Sequence, residues 1–191
     1  MSRTVNPKLK EDILDKVLLA ISLKGLNNLS LRGIGREIGI SDRMLVFHFQ
    51  TYENLINSAF IHLSVKHKNM LIAVISRNRD KSLVDIYKIF TKTLFTDENR
   101  NRLLVFLEFY IKALRDVGSY ADFFGEVLIK WIEETQSVIA SIYKNDSRIY
   151  ATVMVAFYRG LMLDWLATND YTRILKSQNA FVKMIGQNMK P

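Results

Sequence analysis

Side chains able to do chemistry are few in this sequence, and their spacing excludes more than it offers. There is no cysteine, which removes disulfides, thiol nucleophiles and thiolate metal ligands from consideration. The three histidines are His48, His62 and His67. The last two stand five apart, about 140° round a helix, and cannot share one ion as an i, i+4 pair would. No Ser-His-Asp or Cys-His set has a recognisable context, and no Gly-rich phosphate loop is present. Neither an enzyme nor a metal or cofactor is therefore expected. Glu108 lies inside an apolar run, where a raised pKa would suit catalysis or ligand binding. Lys112 follows four residues later in the favourable order, so a plain ion pair is the simpler expectation.

The stretch that does carry a pattern is Ser30 to Phe49, SLRGIGREIGISDRMLVFHF. Leu31, Ile34 and Ile38 recur at helical spacing, Ser30 can cap the free N–H groups ahead of them, and Gly39 tolerates a left-handed stop. Ile40 plugs the turn, Ser41 caps a second helix, and Leu45 and Phe49 face inward at i, i+4. Asp42, Arg43, Met44, Phe47 and His48 are left facing out. Helix, short turn with Gly, and helix with an exposed tip is the layout of a DNA-reading helix-turn-helix. An ordinary αα corner has the same outline, so the surroundings decide.

Those surroundings are ILDKVLLAISLKGLNNLSLRGIGREIGIS, then LVFHF, then ENLINSAF, between Ile13 and Phe60. The block resembles the N-terminal domain of the TetR (tetracycline-repressor) family of transcriptional regulators, closely over the first third of the chain and in size and helical layout beyond it. The resemblance implies an all-α fold, with a DNA-binding domain over residues 1–50 and a ligand-binding and dimerisation domain over 51–191, about nine helices in all. It implies contacts to a double-stranded operator from Ser30, Leu31, Arg32, Ser41, Asp42, Arg43, Met44, Phe47, His48, Thr51 and Tyr52. The chain departs from the family at four of these positions or their neighbours. Val46 stands where a tyrosine is usual, Tyr52 where a lysine is common, Asp42 where a Lys or polar residue is frequent, and Met44 in place of Thr. Arg43 remains the best candidate for a bidentate contact to guanine, and the amides behind Ser30 could hold phosphate.

The elements that must position these residues follow from composition. Hydrophobic residues make up 49% of 191, with only two prolines, at Pro7 and Pro191, so long helices can run unbroken. Net charge is +8, but eight Lys/Arg against five acids between Met1 and Gln50 leave only +3 there. Charge suits a polyanionic partner without locating it. Residues 1–7 read as a flexible arm carrying Arg3. Periodicity predicts helices over about 8–24, 52–77, 83–94, 102–116, 120–143, 148–168 and 171–188, with loops at 76–81 and 96–101. Gly33 and Gly35 inside the second helix each cost about 1 kcal/mol against Ala, which points to close approach of a neighbour. No signal peptide is visible, and the apolar stretch Val153–Ala167, broken by Arg159 and Asp164, is expected to be too short to span a bilayer. A cytoplasmic protein without a membrane partner is expected.

The stretch FYRGLMLDWLA (Phe157–Ala167) resembles the family's penultimate helix, which with the last helix forms a four-helix dimer interface. Met154, Phe157, Gly160, Leu161, Trp165, Phe181 and Ile185 are the expected residues, presented to a partner or to the subunit core, with Gly160 at a helix crossing. Phe90, Phe106, Glu108, Phe109, Tyr110, Phe124 and Trp131 could line a site for a largely apolar effector, although such aromatics are more often plain core. The resulting expectation is a homodimeric, ligand-responsive repressor. The alternative is a helical small-molecule sensor without sequence-specific DNA binding.

Overall fold

The structure, a computed structural model, describes residues 7–78, 80–115, 119–143 and 146–187. The expected Arg3 arm, and Gly118 as a helix breaker, lie outside the described residues. Among those described there are nine α-helices and no strand: α1 (Pro7–Lys24), α2 (Leu31–Ile38), α3 (Asp42–Phe49), α4 (Tyr52–Arg77), α5 (Leu83–Leu94), α6 (Asp97–Arg115), α7 (Ser119–Tyr143), α8 (Ser147–Thr168) and α9 (Tyr171–Gln187). A 3-10 turn, Leu26–Asn28, fills the link between α1 and α2.

Two compact units are present. One holds α1 to α3, α4 up to Asn69, α6 from Asn101, and the start of α7 to Ala121. The other holds α4 from Met70, the chain from there to Arg100, and α7 from Asp122 through α8 and α9. Packing therefore does not divide the chain at residue 50. The short helices α1 to α3 bury too little apolar surface alone, and α4 and α6 complete their core. Phe60 of α4, fully buried, meets Phe109 and Phe106 of α6 at ring-centroid distances of 5.0 and 6.5 Å.

In the first unit, Ile13, Leu14, Val17, Leu18 and Ile21 are all buried, the one-faced α1 that the spacing predicts. Asp15 on the outer side of α1 accepts hydrogen bonds from His62 (2.8 Å) and Lys66 of α4. Desolvation alone would raise the Asp15 carboxyl, but these two hydrogen bonds outweigh it and hold it below the usual carboxylate range. The two glycines of α2 differ. A Cβ on Gly35 would lie 2.7 Å from the Ile40 carbonyl oxygen and 2.9 Å from Asp42 Oδ1, whereas one on Gly33 would meet nothing closer than Ser30 Oγ at 3.4 Å. Only Gly35 is demanded by close approach.

In the second unit, Trp165 is buried against Phe95 (5.5 Å) with the Arg100 guanidinium 5.5 Å from its ring. Arg100 also donates to the Leu166 carbonyl at 2.8 Å, where α8 ends on the left-handed Asn169. This is why α6 begins at Asp97, earlier than the predicted 102. Thr96 and Asn99 close its first turn, Asn99 is buried and donates to the Thr93 carbonyl at 2.9 Å, and Asp97 and Glu98 favour a helix N-terminus. Arg173 pairs with Asp164 and ties α9 to α8.

The expectation that the apolar part of α8 is too short for a bilayer is corrected. Helix α8 has 22 residues and holds an 18-residue window of mean hydropathy 1.2, long and apolar enough to cross a membrane by length and composition only. Its hydropathy has a second source besides the core. Ile149, Val153, Ala156, Gly160, Leu163 and Ala167 recur at alternating 4 and 3 residue steps and are all exposed, the spacing of a helix–helix seam.

Two outcomes follow. Gly35→Ala should cost about 1–3 kcal/mol in urea denaturation by overpacking, while Gly33→Ala should be neutral or stabilising by up to about 1 kcal/mol. Burial lowers the His67 imidazole to about 4, so this side chain is neutral in the folded protein while the unfolded chain protonates near 6.5. The unfolded state then binds the extra proton, and stability should fall as pH drops from about 6.5 to about 4. Denaturation midpoints across that window should show this slope, and a His67→Gln variant should flatten it.

Candidate nucleic-acid interface

The interface is assembled by caps. Ser30 is extended at φ −94°, ψ 167°, and its Oγ accepts from Gly33 N at 3.1 Å. Gly39 closes α2 at φ 71° with the Ile40 N–H donating to the Gly35 carbonyl (2.9 Å). Ser41 Oγ accepts from Met44 N at 3.3 Å, and Thr51 Oγ1 from Asn54 N at 3.1 Å. Each hydroxyl spends a lone pair on its helix and keeps its hydrogen to donate, while Ser30, Ser41 and Thr51 are all exposed. Three hydroxyl donors thus rim the two-helix motif.

On α3, Leu45 and Phe49 are buried at 0% and 3% exposure, as expected of the inner face. Asp42, Arg43, Val46 and Phe47 are exposed and form two adjacent rows one turn apart. Met44 and His48, expected to face out, are only half-exposed, and His48 Nδ1 is buried without a hydrogen-bond partner among the described residues. The tight α2–α3 crossing draws that flank of α3 inward. Asp42 does not stand as an isolated negative charge: its Oδ2 lies 3.6 Å from Arg32 Nε. Arg36 and Arg43 are exposed and enter no ion pair among the described residues. Leu31 is half-buried at the head of α2.

Tyr52 differs from its expected place. It is half-buried and its hydroxyl donates to the Leu26 carbonyl at 3.4 Å, with burial and the neighbouring Glu53 raising its pKa. Glu108 of α6 holds the same residue, Leu26, by its amide. Its Oε2 accepts from Leu26 N at 3.4 Å, in place of the expected pair with Lys112, whose ammonium instead lies 5.0 Å from the Tyr120 ring. One helix turn in the sequence suggests the Glu–Lys pair, but the Leu26 amide supplies a partner eighty-two residues away that no local spacing reveals.

The connection from α3 to α4 carries the strongest backbone distortion. Gln50 sits at φ 68°, ψ −55°, and the Thr51 N–H donates to the Phe49 carbonyl at 2.8 Å. That is a γ-turn in its positive-φ form, strained for any residue with a side chain. Nothing in the sequence signals it, because Gln is not a turn former.

The remaining expected residues fall in separate places. Phe106, Phe109 and Tyr110 stack near Phe60 in the first unit, with Phe106 and Tyr110 rings 6.0 Å apart. Phe90 packs on Tyr158 (5.9 Å) in the second unit; Phe124 is buried and Trp131 half-buried there. Of the expected dimer residues, Leu161 and Trp165 are core of their own subunit, and Phe157 stacks on Phe181 at 3.8 Å. Met154 packs beside the buried Ile139–Ala151 pair, and Ile185 is half-buried. Gly160 alone lies on the exposed α8 seam, where an added Cβ would meet nothing within 4 Å. The sequence offers both rows of α8 at helical spacing, and the larger residues draw the eye to the inner one.

No family profile matches this sequence, and no curated protein matches it either. Solved structures do match. A transcriptional regulator from Rhodococcus sp. Rha1 superposes with a TM-score of 0.81 at 18% identity, covering 94% of this chain and 96% of that one. A TetR-family transcriptional regulator from Cytophaga hutchinsonii gives 0.74 at 16% identity, covering 92% and 94%. A Saccharomonospora viridis chain described as a transcriptional regulator, in complex with choline, gives 0.73 at 15%, covering 93% and 97%. The chain has the fold of the TetR-family transcriptional regulators: a helix-turn-helix followed by a helical bundle.

Gln50→Gly should remove the positive-φ penalty and raise stability by about 1 kcal/mol or more. Chemical denaturation of the two proteins side by side checks this; an unchanged or lower midpoint would show that the turn is unstrained.

Proposed function

We propose that this chain is a DNA-binding transcriptional regulator acting as a homodimeric repressor in the cytoplasm. Residues 1–50 read the operator and 51–191 sense an effector and dimerise. The observation that carries this reading is the α3 surface. Two capped short helices leave Asp42, Arg43, Val46 and Phe47 exposed, with Arg36 exposed on α2, within a fold shared with transcriptional regulators. Arg43 is assigned to a base edge. Ser30, Ser41 and Thr51 are assigned to phosphates, with Leu31 and Arg32 at the head of α2 and Met44 and His48 at its margin. Tyr52 is assigned to holding Leu26 in place rather than to a phosphate.

The exposed seam of α8 supports the dimer. Its centre is small, with Ala156 and Gly160, so a second α8 can approach closely, and Ile149 (64% exposed), Val153 (44%) and Leu163 (52%) supply apolar area on either side. On α9, Ala180 and Met184 are exposed as well. Two recognition helices carried by one dimer would meet half-sites about one turn apart or more. The choline bound to the Saccharomonospora viridis neighbour supports a small molecule as effector here. Either of two separate groups is proposed to serve it: Phe106, Glu108, Phe109 and Tyr110 in the first unit, or Phe90, Phe124 and Trp131 in the second. An effector that prefers one conformation of α4 would shift the population away from the DNA-bound one and release the operator.

Fluorescence anisotropy on the chain's own upstream DNA tests the reading. Affinity should fall steeply, about 10³-fold or more, between 50 and 200 mM salt. Arg43→Ala should cost about 1–3 kcal/mol and relax sequence preference. Salt-insensitive association, or no association at all, would leave the effector-sensing reading without DNA. Sedimentation should show a dimer at micromolar concentration, and Gly160→Leu should shift it toward monomer; a monomeric parent protein would refute the α8 seam as an interface.

A further inference from the structure

We propose that α3 reads its operator mainly by apolar contact, with Val46 and Phe47 packed on thymine C5-methyl groups in the major groove. This rests on the DNA-binding reading above and specifies what the helix recognises. The exposed rows of α3 hold one side chain free to hydrogen-bond a base edge, Arg43. Asp42 is an acceptor that faces Arg32 at 3.6 Å and has no hydrogen to donate to a base. His48 and Met44 are half-buried, and His48 Nδ1 is shut away from solvent. The positions one turn further along are Val46 and Phe47, 46% and 49% exposed, with no polar atom beyond the backbone.

Base-pair edges in the major groove present N7, O6, O4 and amino groups, all polar, and a single apolar group, the thymine methyl. Val46 and Phe47 set against polar edges would strip water from donors and acceptors and return nothing, a penalty that rejects such pairs. Set against methyls, they bury apolar surface on both sides. The exposed cations Arg36 and Arg43 and the hydroxyls of Ser30, Ser41 and Thr51 supply the attraction to phosphate that holds so apolar a tip in the groove. One helical turn is about 5 Å, and base pairs stack every 3.4 Å or so. Thymine-bearing pairs should therefore lie one or two steps from a guanine read by Arg43.

The test selects bound duplexes from a random-sequence DNA library with the full-length protein, then remakes the selected duplex with deoxyuridine for thymidine. Losing a contacted methyl should weaken binding about fourfold each, the effect of about 0.8 kcal/mol. Val46→Ala and Phe47→Ala should each shrink the difference between the two duplexes, and Val46→Ala keeps the test decisive if the larger truncation unfolds α3. Selection of no sequence would overturn the DNA-binding reading itself. A selected duplex bound equally well with deoxyuridine would overturn methyl recognition alone. A deoxyuridine loss undiminished in both variants would overturn the assignment to these side chains.

Discussion

Everything in the N-terminal part of this protein depends on how closely α2 can lie against the turn that follows it. At Gly35 the separation is too small for any side chain: a Cβ would stand 2.7 Å from the Ile40 carbonyl oxygen. That approach brings Leu45 against Gly35, where its Cδ1 would stand 3.5 Å from an added Cβ, and Leu45 and Ile34 are both 0% exposed. With the inner side of α3 pinned, its outer side is fixed as well. Arg43, Val46 and Phe47 must project, and Met44 and His48 must turn half inward. The same contact places Asp42 within reach of Arg32, so a residue that would repel phosphate becomes the tether of a cation.

A second constraint joins this motif to the rest of its unit. The backbone of Leu26 is held on both sides of its Cα, its N–H by Glu108 of α6 and its carbonyl by Tyr52 of α4. Tyr52 also explains itself in this way. A lysine at that position could reach a phosphate, but the half-buried tyrosine is tied to the Leu26 carbonyl instead. The strained Gln50 lies two residues before it, at the point where the chain must turn from one helix to the next.

Much of this was legible in the sequence where one local rule acted alone. The bounds of α2 and α3 follow from Ser30, Gly39 and Ser41, because caps act within three or four residues. The bounds of α4, 52–77, follow from apolar period and Thr51. Legibility failed where a distant partner decided the outcome. Asp97 to Asn101 reads as a polar loop, yet Thr96, the buried Asn99 and the first-turn acids draw it into α6. Glu108 has a local lysine and takes a distant amide. On α8 two apolar rows coexist, and only the fold shows that Trp165 and Leu161 face inward while Ile149, Val153, Gly160 and Leu163 face out. The outward residues of α3 could be named from spacing, apart from Met44 and His48, but the exposure of Val46 and Phe47 comes from the fold, which the sequence does not state.

The central claim, that the outer face of α3 enters the major groove, can be tested directly because the chain has no cysteine. A single Val46→Cys substitution would take an iron chelate that cuts DNA near its point of attachment, with Lys176→Cys on the exposed side of α9 as the reference site. Strand scission confined to short tracts within the bound sequence, from position 46 and not from 176, is the result expected. Scission from 176 at the same tracts, or none from 46 on a duplex the protein demonstrably binds, would contradict it.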